Sequence, residues 1–276
     1  MGTLLRMSLR SVGRDWRSGE LRVIALALVV AVAAVTAVGF FTSRVERAMA
    51  YQATELLGAD LVVESPQPIR PALRAEARAR GLQVAETVEF PSVVLAGEAT
   101  ALTEVKAVST AYPLRGQLRV SDVLFGEEHA VAGGPPPGEV WVEGRLLAQL
   151  GLNLGDDLHL GRRAFRIGRV LTYEPDRGDA VFRLAPRVML NLADLEATGL
   201  VSPASRVRYR LLVAGPEAEQ RGFRRWLESR LVPGEEVEGV KDARPALQTA
   251  LDRAQRFLSL AALVAVLLGS VKKYER

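Results

Sequence analysis

The chain has 276 residues, 49% hydrophobic and 25% charged, a balance that supports a packed core and excludes a disordered chain. It contains no cysteine, which removes disulfides, thiolate metal sites and a thiol nucleophile. The net charge of +4 gathers at the ends, with Arg6, Arg10, Arg14, Arg17 and Arg22 at one and Lys272, Lys273 and Arg276 at the other; the nearly neutral body between them has no footprint for nucleic acid.

In residues 1–22, Leu5, Leu9, Val12 and Trp16 recur at helical spacing while the arginines take the other side. This predicts an amphipathic helix lying at the cytoplasmic membrane surface; the alternative is a basic leader that only sets topology. Residues 23–41, VIALALVVAVAAVTAVGFF, carry no charge over nineteen positions, close to what a hydrocarbon core of about 30 Å requires. They are expected to form a transmembrane helix whose preceding arginines keep the N-terminus cytoplasmic. A signal peptide is one rival, but Phe40-Phe41-Thr42-Ser43-Arg44 stands where a cleavage site of small residues would be. A buried soluble helix is the other. Residues 257–271, FLSLAALVAVLLGSV, are short for a span. With Lys272 and Lys273 behind them they read as a returning span whose end is expected to be shortened or altered.

Residues 42–252 would then form an extracytoplasmic domain. The first helix should continue as a stalk through Val45, Met49, Gln52 and Leu56 to a cap at Gly58. A second stalk helix should start at Pro245 and carry Leu247, Leu251, Ala254 and Leu258 on one stripe. Between them, strands are predicted at Leu61–Glu64, Leu82–Ala96, Leu102–Val108, Glu139–Glu143 and, paired around Gly161, within Leu158–Val170. Helices are predicted at Pro71–Arg80, Arg145–Leu150 and within Pro216–Leu231, the last with Phe223, Trp226, Leu227 and Leu231 on one side. The run Gly133-Gly134-Pro135-Pro136-Pro137-Gly138 is a break, read as a hinge between lobes or a surface linker. Short helices interleaved with strands, without a long βαβ repeat, make the fold class α+β.

Chemistry is sparse. No phosphate-binding G-x-x-x-x-G-K-[ST] loop and no G-x-S-x-G elbow is present. The two histidines, His129 and His159, are far apart and read as solvated or capping groups. Asp176-Arg177-Gly178-Asp179 and Gly155-Asp156-Asp157 read as turns in which Asp and Gly serve backbone geometry. No catalytic, cofactor-binding or metal-binding residue is assigned, and no cofactor is expected.

Several segments in order carry a resemblance: Arg14 to Arg22 (RDWRSGELR), Gly58 to Val63 (GADLVV), Trp141-Val142 through Leu150-Gly151-Leu152 with Gly155-Asp156, Asp176 to Asp179, Leu184 to Val188 (LAPRV), and Ser205 to Tyr209 (SRVRY). In these the chain resembles the FtsX-like permease subunits of ABC transporters, the group that includes MacB and LolC, and more narrowly the YbbP-type permeases. The resemblance implies a MacB-type periplasmic core domain on a transmembrane helical stalk, in a longer multi-pass protein of the bacterial inner membrane. It implies a non-catalytic subunit, in contact with membrane lipids, that works as a dimer or pseudodimer with a separate cytoplasmic ATPase. ATP-driven motion would reach the external domain for export or extraction of a lipophilic substrate; some relatives instead switch on a periplasmic hydrolase. The layout of span, external domain and span also fits a membrane sensor or receptor.

Overall fold

The computed structural model describes residues 57–177, 185–202 and 205–239, with a scatter of helical positions between Val29 and Arg44. The chain divides into two units, Met1–Met49 with Arg244–Arg276, and Ala50–Ala243. In the first, Val29, Val32, Phe40 and Phe41 are helical and exposed. Among the described residues no helix is long and apolar enough to cross a membrane. The helix expected over 1–22, the second apolar run at 257–271, the stalk positions 45–56 and 245–258 and much of the 23–41 run lie outside the described residues.

The second unit is α+β. Its strands are β1 (Leu61–Ser65), β2 (Gln83–Ala96), β3 (Ala99–Val108), β4 (Leu118–Ser121), β5 (His129–Val131), β6 (Glu139–Val142), β7 (Asp157–Leu160), β8 (Arg163–Tyr173), β9 (Arg187–Asn191), β10 (Arg208–Ala214) and β11 (Glu236–Gly239). The helices are α1 (Pro71–Ala79), α2 (Gly144–Leu150), α3 (Leu195–Thr198) and α4 (Glu217–Glu228). The predicted strands and helices all appear, within two or three residues at most ends. One sheet runs β11-β1-β10-β2-β3-β9-β6-β8-β4-β5, with β7 pairing β2 and β8. It is continuous across the Gly133–Gly138 run, so that run is a loop, not a break between lobes. The loop is pinned where Asn191 Nδ2 donates to the Pro135 carbonyl and Gly138 N donates to Asp194.

Sequence order against strand order exposes a frame and an insert. The elements β1-α1-β2 and β10-α4-β11 form a β-α-β-β-α-β unit with its strands antiparallel in the order fourth, first, third, second. Everything from β3 to α3 is inserted between the frame's second and third strands. The long β2–β3 ribbon, paired from Thr87–Val108 to Ala96–Ala99, joins the two.

Local sequence explains the helices. Pro71 opens α1 without losing a hydrogen bond, Leu73 and Ala77 bury one face, and Gly81 at φ +73° follows its last turn. In α4, Glu217 and Glu219 meet the positive end of the helix dipole while Phe223 and Leu227 are buried. Both helices cover one sheet face, packing on Leu61, Val63, Leu211 and Val213. The same face continues through Val105, Val188 and Val140 to Leu146 and Leu147 of α2. Each large apolar side chain buried there contributes about 1.5–3 kcal/mol.

Candidate functional site

The other sheet face is different in kind. Strand register places Glu64 opposite Arg210, Arg208 opposite Glu89, Glu89 opposite Lys106, and Glu104 opposite Arg187. Charge therefore alternates in sign strand by strand, inside a face otherwise closed by Val62, Leu212, Trp141 and Met189. Lys106 is fully buried, and its Nζ donates to Glu174 Oε1 at 2.5 Å, Asp176 Oδ1 at 2.6 Å and the Tyr112 hydroxyl at 2.9 Å. Glu89 Oε1 lies 3.2 Å from the same nitrogen. Arg187 Nε donates to Glu174 Oε2 at 3.0 Å, Arg210 Nη1 donates to Asp176 Oδ2 at 3.0 Å, and the Tyr112 hydroxyl donates to Asp176. Three cations meet three carboxylates, which is the condition for holding ions away from water.

The fields in this network are large. Burial disfavours ionised Glu89, yet Lys106, Arg187, Arg210 and Arg208 overcome that and hold its carboxyl down at about 2, against 4.5 ordinarily. Burial likewise opposes the charge on Lys106, and Asp176, Glu174 and Glu89 reverse it, raising the ammonium above its usual value. Burial and the neighbouring carboxylates push Tyr112 well up, so it remains a neutral donor. Because Glu89 is depressed on folding, its contribution is complete above its unfolded value near 4.5 and is lost as the pH falls from there toward about 2. In acid titrations followed by near-ultraviolet circular dichroism, Glu89→Gln is expected to flatten the fall of stability across that window. An unchanged slope would show that Glu89 does not carry it.

The network joins frame to insert. Glu89 and Arg210 belong to frame strands; Lys106 and Arg187 belong to the insert, as do Glu174 and Asp176, which follow β8. Asp176 does sit in a turn, the 3-10 turn at Pro175–Arg177, but its carboxylate serves the ionic network and not the backbone geometry expected of it, and the residue is only 8% exposed. Arg177 instead pairs with Glu143, while Gly178 and Asp179 lie outside the described residues. Asp156 does serve a turn, accepting from Asn153 N at 2.8 Å. His129 and His159 sit exposed on β5 and β7, strands that do not pair. Among the described residues no group of His, Asp and Glu is arranged to hold a metal ion.

A second cluster fixes the point where the chain enters the sheet. The Gly58 carbonyl accepts from Leu114 N and Arg115 N, at 3.0 and 2.9 Å. Asp60 takes a fork from Arg115 at 2.9 and 2.8 Å, with Gly215 N at 3.0 Å and Gln220 Nε2 at 2.8 Å completing its shell. A Cβ at Gly58 would come within 3.5 Å of Asp176, so the two clusters adjoin.

Beside the network opens a cleft of about 910 Å³, where β1 runs out into Pro66-Gln67-Pro68 and β10 begins. Phe90, Val207 and Tyr209 give it apolar walls, and Glu89 and Glu104 connect it to the buried charges. Arg187 lies under these carboxylates, with Nη1 3.6 Å from Glu104 Oε2 and 3.8 Å from Glu89 Oε2. Both of its Nη groups are buried without a hydrogen-bond acceptor.

No family model matches the chain. An uncharacterized ABC transporter permease of Escherichia coli (strain K12), YbbP, is 36% identical over 256 residues, which is 93% of this chain and 31% of the relative. The chain thus spans about a third of the length of that curated relative. Among solved structures, the periplasmic region of MacB from Actinobacillus actinomycetemcomitans is 9% identical, covering 71% of this chain and 95% of its own, with a TM-score of 0.46. The extracellular domain of the noncanonic ABC-type transporter YknZ from Gram-positive bacteria is 11% identical, covering 65% of this chain and all of its own, with a TM-score of 0.42.

Proposed function

Since this chain is related in sequence to the YbbP-type ABC transporter permeases, we propose that it acts in a permease subunit whose external domain receives ATP-driven motion from a separate cytoplasmic ATPase. The observation that carries this reading is the 36% identity extending over 93% of the chain. In this reading residues 23–41 span the bacterial inner membrane and the Ala50–Ala243 unit stands outside the cytoplasm, using the motion to export or extract a lipophilic substrate.

The internal construction of the domain supports such a role. A part that relays motion must not deform under it. Here the residues leading into β1 are fixed by the Gly58 and Asp60 hydrogen bonds, and frame and insert are joined by ions. The experiment is affinity purification of the protein, at its full gene length, from its own membranes in mild detergent. A stoichiometric P-loop ATPase is the expected companion. Recovery of a kinase or adaptor without an ATPase would overturn the permease reading in favour of a receptor.

A further inference from the structure

The connection between β4 and β5 turns its apolar residues outward. Val123, Leu124 and Phe125 follow one another there and are 60%, 37% and 92% exposed. Single exposed apolar side chains are ordinary on a protein surface, but three in succession at a loop apex are not. The turn is also built to hold them out. The Ser121 hydroxyl donates to the Val123 carbonyl at 2.7 Å, and Gly126 N donates to the same carbonyl at 3.1 Å. A side chain at Gly126 would run into Val123 and Ser121, so glycine is needed to close the loop this tightly. Leu124 lies against the bare backbone of Gly144 at the start of α2 and roots the turn. At the apex Phe125 has φ +60°, alone among the described non-glycine residues in the left-handed region. That conformation costs free energy, and no packing of the exposed ring offsets it.

Shape and charge select what this turn meets. It is convex, so it fills a cavity and does not enclose a small ligand. Two of its carboxylates are engaged from the neighbouring strands, Asp122 by Arg169 at 3.4 Å and Glu128 by Arg119 at 2.7 Å. Glu127, two residues from Phe125, is exposed and has no ion pair among the described residues. A free carboxylate beside an apolar knob is repelled by a negatively charged lipid surface and attracted by a cation on a protein. We infer that the turn is an anchor for another protein, one that offers an apolar pocket with a Lys or Arg at its rim. Phe125 fills the pocket, Val123 packs at its edge and Glu127 pairs with the rim cation. The inference goes beyond the permease reading and holds or fails whether or not an ATPase is recovered.

One arm of the test needs no partner. Phe125→Gly relieves the left-handed strain and should not lower Tm; a clear fall would show that the ring is held for folding and overturn the inference. For docking, a benzophenone amino acid replaces Phe125 in the full-length protein within its own cells, and the same group at exposed Ser229 is the control. Light is expected to give one discrete protein adduct from position 125 and none from position 229, reduced about tenfold by Glu127→Lys. The acceptor, identified by mass spectrometry and purified, should bind the full-length protein in detergent. Phe125→Ala should weaken that binding by at least about thirtyfold, as expected for loss of an interface anchor. Adducts to lipid would assign the turn to the membrane, and adducts to a second copy would assign it to self-association. Either result overturns the inference, as does an absent adduct or indifference to Glu127→Lys or Phe125→Ala.

Discussion

Replacing Lys106 with methionine is expected to destabilise the domain by about 3–5 kcal/mol, the usual result of removing one partner from a buried ion cluster. For a unit of this size that corresponds to a fall in Tm of roughly 6–20 °C. The physical reason is asymmetric. The methionine fits the volume, but Glu89, Glu174 and Asp176 lose the ammonium that lies within 3.2 Å of each, and water cannot replace it at a site with no exposure. Arg187 and Arg210 remain, so the cluster is left with an excess of negative charge. Arg208→Gln is the contrast: its ion pair with Glu64 is half exposed and should be worth less than about 1 kcal/mol. Adding Glu89→Gln to Lys106→Met removes one orphaned carboxylate, so the double variant should be less damaged than the sum of the singles, by about 0.5–3 kcal/mol. Additive effects would mean that the ions do not act as one group.

Replacing Asp60 with alanine should produce the second large effect, and a local one. Four hydrogen-bond donors lose their acceptor, among them the backbone Gly215 N–H and the buried side of the Arg115 fork. The expected loss is about 2–3 kcal/mol, since bonds to a charged acceptor outweigh neutral ones. Hydrogen exchange should show where it falls: the Gly215 and Arg115 amides exchange at least about tenfold faster, while amides of β3 and β9 in the insert keep their protection. Uniformly faster exchange would mean that Asp60 supports the whole domain and does not specifically fix the point where the chain enters. In the proposed permease the consequence is slack, with helix motion spent on the first residues of the domain before it reaches the sheet.

Much of this fold was legible in the sequence, and the missing part has a definable cause. Strands such as Gln83–Ala96 and the pair around Gly161 announce themselves through β-branched runs and turn residues. The helix with Phe223 and Leu227 shows its period directly. Local pattern does not reveal what covers each sheet face. Glu89 in T-V-E-F, Lys106 in E-V-K-A, Arg187 in P-R-V-M and Arg210 in Y-R-L-L each look like a strand residue turned to water. They are buried because residues from Leu57, the Tyr112 segment and the Glu174–Arg177 turn close over that face. One signal was available: four lone charges of mixed sign, each set among apolar neighbours in a strand, are together more than surface decoration requires. Asp176 carried no such signal, because Asp beside Gly is ordinary turn chemistry.

Strands β1 and β11 are neighbours, and Leu61, where the sheet begins, is paired with Gly239, where it ends. In the proposed permease the domain would therefore be entered and left at one corner, by two adjacent threads. Pulling those threads apart would open the β1–β11 pair like a zipper, one rung at a time, and meet little resistance. Moving them together loads no single rung and carries the whole body as a rigid load. Such a body is well suited to being pushed and lifted as a unit, and poorly suited to being stretched.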